Sequence, residues 1–92
     1  MKSEEIMNDL EICKRIAEIE GIHVSNADVG MYDPLINKAL CFDLMVNHKI
    51  EIDFTEDGKT RAWQHYHIDG QDTLSKSTPR AICLAIIEAN KE

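Results

Sequence analysis

His65 and His67 stand one residue apart in the stretch AWQHYHIDG, residues 62–70, beside the only tryptophan of the chain and one of its two tyrosines. On an extended strand this spacing puts both imidazoles on one face, roughly 6–7 Å apart. Such a pair could begin a metal site, which usually takes three or four protein ligands. It could also supply a general base, if a carboxylate oriented it and a substrate came within reach. His48 is the third candidate ligand, because it leads into the strand expected beside His65. Glu51, Asp53 and Tyr66 are the candidate acid–base partners, and His23 lies elsewhere in the chain.

The rest of the sequence does not complete either chemistry. No cysteine joins these histidines in a local ligand pattern, and zinc motifs are normally announced by spacing. There is no G-x-S-x-G, H-E-x-x-H, Gly-rich phosphate loop or paired-carboxylate motif. The expectation is therefore a non-enzymatic protein with no catalytic residue, cofactor or metal assigned. A metal-dependent or acid–base enzyme using the His48, His65 and His67 region is the alternative.

Charge narrows the partners. Residues 1–57 hold 13 acids and 5 bases, and residues 58–92 hold 4 acids and 5 bases, for a formal charge of −7. Binding to nucleic acid rests on clustered Lys and Arg that neutralise phosphates, and no such cluster exists, which argues against direct nucleic-acid binding. Glu4, Glu5, Asp9, Glu11, Glu18 and Glu20 surround the first helix. Their ordinary reading is a solvated face. The sharper alternative is an acidic decoy that docks on a basic host protein, although Lys14 and Arg15 interrupt the run.

Cys13, Cys41 and Cys83 are odd in number, widely spaced and set in apolar stretches. They read as reduced core cysteines of a cytosolic protein. The start, MKSEEIMNDLEI, lacks the apolar region of a signal peptide, and no apolar run approaches the roughly 20 residues that span a bilayer. A soluble, cytoplasmic protein with no membrane partner is expected.

The positioning elements follow from periodicity. Ninety-two residues, 43% of them hydrophobic, suit a single domain, residues 1–92, with one core. A first helix is expected at about 5–20. Asn8 and Glu11 form a capping-box pattern, Ile6, Leu10, Cys13 and Ala17 share one face, and Gly21 is a stop. A second helix, about 34–47, opens on Asp33-Pro34 and is apolar nearly all round from Ala39 to Val46. A hairpin, 49–55 and 60–68, turns at Asp57-Gly58. There is room for a third strand at 71–75. A last helix, about 79–90, opens on Thr78-Pro79.

With Asp57 and Gly58 as a two-residue loop, Ile52 faces Trp63, Ile50 faces His65, Phe54 faces Arg61, Glu51 faces Gln64 and Asp53 faces Ala62. Trp63 then joins the core face, and Trp63→Ala would cost about 3–5 kcal/mol. A bulged three-residue loop would reverse these faces. The expected core is Ile50, Ile52, Phe54, Trp63, Ile82 and Ile86. The fold class is α+β, a small antiparallel sheet packed by three helices, with the terminal helices covering the Ile50/Ile52/Trp63 face and the second helix beside them or on the other face.

This order of elements is similar to a known family. YDPLINKALCFDLMVNHKIEI at 32–52, AW at 62–63 and STPRAICLAI at 77–86 resemble the phage α-β-α sandwich domain proteins, near the NinX-like group, across about residues 9–89. The last piece carries Pro79, Ala81, Ile82, Cys83 and Ala85. The chain departs at Leu84, where the family commonly has arginine, and in its extra residues before Asn8. The resemblance rests on packing residues. It implies a fold and an uncharacterised phage or prophage accessory protein made in a bacterial cytoplasm, and it transfers no catalytic residue. Protein–protein interaction is the expected mode of action. The two apolar helices offer more surface than a small sheet covers, so either they pack on each other and the sheet, or one meets a second chain in a homodimer.

Overall fold

The computed structural model describes residues 8–22, 32–65 and 73–90. The elements run α1 (Asp9–Ile19), α2 (Lys38–Asn47), β1 (Ile50–Phe54), β2 (Thr60–Gln64), β3 (Thr73–Ser75) and α3 (Thr78–Ala89). The sheet is antiparallel in the order β1-β2-β3, so the class is α+β. His23, Tyr66, His67 and the start of the expected third strand lie outside the described residues.

α1 is fixed at both ends by local chemistry. Asn8 Oδ1 accepts from the Glu11 amide at 2.8 Å, and the Asn8 amide donates to Glu11 Oε1 at 3.3 Å, a complete capping box. Gly21, at φ +71, closes the other end. Its amide donates to the Glu18 carbonyl, and the Ile22 amide reaches back to that of Ala17 at 2.8 Å. This is a Schellman arrangement, for which glycine pays no Cβ penalty.

α2 begins later than Asp33-Pro34 suggests. Asp33 Oδ1 accepts from the Leu35 amide, and the Asp33 carbonyl accepts from Ile36 and Asn37. The chain therefore completes a single turn and stops. Asn37 restarts it by accepting from the Leu40 amide at 3.1 Å. After the helix, Lys49 takes a left-handed conformation, φ 57, where glycine or asparagine is usual. α3 is capped by Ser77 rather than Thr78. Thr78 is used elsewhere: its hydroxyl shares a 2.7 Å hydrogen bond with that of Thr60, a buried polar group of β2.

The hairpin takes the three-residue loop. Thr55 and Lys59 flank Glu56, Asp57 and Gly58, with Gly58 at φ +84. Thr55 clamps the turn. Its amide donates to the Lys59 carbonyl at 2.9 Å, its hydroxyl accepts from the Lys59 amide at 3.0 Å, and it also bonds Asp57. The register is accordingly Ile50↔Gln64, Glu51↔Trp63, Ile52↔Ala62, Asp53↔Arg61 and Phe54↔Thr60. This corrects the expected pairing by one residue, and one residue turns every β2 side chain to the other face.

Two expected core residues change place as a result. Trp63 lies only partly buried on the face of Glu51, away from the core. Its inward position is taken by Ala62, 0% exposed. The physical reason is the helix above. α3 packs on β2 and carries Ala81 and Ala85, both buried; small residues let a helix and a strand approach where an indole would hold them apart. Phe54 shares the inward face of β1 but lies at the strand's end, 70% exposed. Ile50, Ile82 and Ile86 are buried, and Ile52 packs partly buried against the core.

α3 is the centre of the molecule. Every residue from Ala81 to Ile87 is buried, because the sheet, α1 and α2 all pack on it. Thr73 adds a polar tie, its hydroxyl donating to the Ala81 carbonyl at 2.7 Å. α1 therefore rests on α3, through Ile12 and Ile16, and not on the sheet as the sequence suggested. α2 flanks α3 on the β1 side.

Candidate functional site

The candidate histidines are placed apart in their chemistry. His48, just after α2, is partly buried, and its Nε2 lies 2.5 Å from Glu20 Oε2 at the end of α1. Its carbonyl accepts from Gln64 Nε2 at 3.1 Å. It thus ties α1, α2 and β2 together. His65 is exposed and pairs instead with Glu51 across the hairpin, while its amide donates to the Lys49 carbonyl at 2.8 Å. Each imidazole holds a different carboxylate. Among the described residues no group of three His, Cys, Asp or Glu side chains could hold a metal.

The acidic side chains of α1 are also largely engaged. Asp9 pairs with Arg80 at 2.6 Å, Glu18 with Arg15 at 3.4 Å, Glu20 with His48, and Glu11 closes the cap. Glu4 and Glu5, the rest of the predicted acidic set, lie outside the described residues.

The three thiols are buried, in two different settings. Cys13 donates to Asp33 Oδ1 at 3.3 Å, and burial together with that carboxylate raises it to about 12. Cys41 and Cys83 face each other across the α2–α3 contact. The neighbouring thiol and burial push Cys83 far above the usual thiol range, while Cys41 is lowered by its contact with Cys83. Cys41 also lines the surface described next.

An apolar groove lies where α2 meets the edge of the sheet. A groove of about 300 Å³ is walled by Cys41, Phe42 and Met45 of α2, floored by Ile52 of β1, and closed by Pro79 and Ile82 of α3. Met45 joins it to a second hollow, of about 340 Å³, bounded by Val46, Lys49, Glu51 and His65. Phe42 is 59% exposed and Val46 46%; at i and i+4 they form one stripe on the outside of α2. Of the two apolar helices, then, α3 is covered on all sides by its own chain and α2 is covered on one.

β1 itself is an edge strand. The bonds from His65 to Lys49 and from Thr55 to Lys59 set the ladder's parity. Residues 49, 51, 53 and 55 bond β2, so the main-chain groups of Ile50, Ile52 and Phe54 point away from it. No hydrogen bond is made to them among the described residues. The sequence missed this site because β1 and α2 are each legible alone, while the groove exists only through their packing. The Phe42/Val46 stripe was the available signal.

Among the described residues no helix is long and apolar enough to cross a membrane. No family model matches the chain, and neither a curated protein nor a solved structure matches it.

Proposed function

We propose that the protein is a non-enzymatic interaction module, a small phage- or prophage-derived accessory protein of the bacterial cytoplasm, and that it binds another protein through the surface between α2 and β1. The observation that carries this reading is the uncovered side of α2. A helix with Phe42 and Val46 exposed, beside an apolar groove and a strand edge, is costly to leave in water unless something covers it. The phage setting rests on the resemblance in α2, β1 and α3, which speaks for fold before role.

The same stripe favours a second reading, in which the covering partner is another copy packed α2 against α2. Light scattering distinguishes the two, since a dimer has twice the 10.5 kDa of the chain. The direct test of the main reading uses Phe42→Glu and Val46→Glu as baits against the unchanged protein in lysate of phage-infected bacteria. The unchanged protein is expected to retain a partner that both variants lose, with melting temperatures unaltered because both positions are exposed. Equal retention by all three, or by none, contradicts the reading.

A further inference from the structure

The geometry points to one occupant for the α2–β1 surface: we propose that an extended protein segment, alternating apolar and basic residues, adds to the edge of the sheet as a fourth strand beside β1. The inference rests on the interaction reading above and specifies its partner.

Three observations converge on it. The outward main-chain groups of Ile50, Ile52 and Phe54 form a row of donors and acceptors with no partner among the described residues. A strand laid along them would bond at every second residue, the usual mode of strand addition. The side chains of the added strand would then alternate between the two faces of the sheet. On one face they meet the apolar groove floored by Ile52 and walled by Phe42 and Met45. Its size suits two apolar side chains roughly 7 Å apart, the spacing of alternate strand residues. On the other face they meet Glu51 and Asp53, both exposed, with Glu56 and Asp57 following in the turn. The cations of this face, Arg61 and, when charged, His65, sit one strand further in, and Lys49 precedes the strand. The edge-most row is therefore acidic, and it selects lysine or arginine at alternate positions of the incoming segment.

The same charges act against a second copy at this edge. Two β1 strands paired antiparallel about Ile52 would set Glu51 of each opposite Asp53 of the other, and like charges directly opposite destabilise a pair. Charged edge strands commonly guard against self-pairing in this way.

The test uses a capped seven-residue peptide of alternating lysine and valine, a glutamate–valine twin, and a permuted lysine/valine peptide of the same composition without alternation. The alternating lysine peptide is expected to bind at least about tenfold tighter than either control, to weaken as salt screens the carboxylates, and to slow amide exchange at Ile52 and Phe54. Amides of Glu51 and Asp53, already bonded to β2, should change little. Glu51→Lys with Asp53→Lys is expected to reverse the preference toward the glutamate twin, which loss of folding cannot imitate. Binding that leaves the Ile52 and Phe54 amides unprotected overturns strand addition and leaves the interaction module standing. Equal binding of the controls, or no binding of the lysine peptide, also overturns the proposal, and the Phe42 and Val46 variants then decide the broader reading separately.

Discussion

Ala62→Glu is expected to remove a large part of the chain's folding stability. Ala62 is 0% exposed, paired with Ile52 and covered by α3. A carboxylate there would be buried without a partner, a change that costs on the order of 3–5 kcal/mol. Small domains hold only about 5–15 kcal/mol in total. The companion substitution, Trp63→Ala, removes a much larger side chain but from the partly buried outer face. It is expected to cost less than Ala62→Glu and to leave a cooperative melt. Circular dichroism of both variants against temperature checks the pair. The opposite order, with Trp63→Ala the more damaging, would mean that the indole and not the methyl group points inward.

The second large effect is alkaline. Cys13 is held at about 12 by burial and by Asp33, against an ordinary 9.0. Tyr32 is held at about 12, against 10.0, by burial and then by the Glu20 carboxylate. Its hydroxyl is buried with no hydrogen-bond partner among the described residues. Above pH 9 the unfolded chain releases protons that the folded chain keeps, so stability must fall as pH rises. The loss begins near pH 9 for the thiol and near pH 10 for the phenol, and is complete for both by about pH 12. At pH 11 the thiol alone accounts for about 2–3 kcal/mol. Cys83, raised by burial and by Cys41, adds to the decline, while Cys41, lowered by the same contact, acts the other way. Urea unfolding at intervals from pH 8 to 11 should show the decline, and Cys13→Ala should flatten it. A curve indifferent to Cys13 would show that this thiol is exposed in the folded state.

The two outcomes bear on how far the sequence could be read. Where a feature depended on neighbours in the chain, it was legible. Asn8 with Glu11, and Gly21 three turns later, specify α1 from both ends. The alternation of Ile50, Ile52 and Phe54 gives β1 and its inward face. The apolar run from Ala81 to Ile87 shows a helix enclosed on all sides.

The failures came from choices between nearly equal local options. Asp57-Gly58 serves a two-residue or a three-residue loop alike, and the decision falls to Thr55, whose side chain clamps the longer one. Asp33-Pro34 is a sound helix start that is spent on one turn, because Asn37 offers a second cap just beyond it. Ser77 outcompetes Thr78 for the cap of α3, since the Thr78 hydroxyl is claimed by Thr60 from across the fold. The histidines illustrate the same limit. His48, His65 and His67 are near in sequence terms, yet Glu20 and Glu51 draw the first two to different partners. The apolarity of α2 was plain, but which of its sides stays uncovered is decided by α3 and β1.

Amide hydrogen exchange along β1 in the free protein tests most directly whether this strand offers an open, acidic edge in the register described. Slow exchange at Asp53 and Thr55, with fast exchange at Ile52 and Phe54, is the expected alternation. Protection of Ile52 and Phe54 in the isolated monomer, or fast exchange at Asp53, would contradict it.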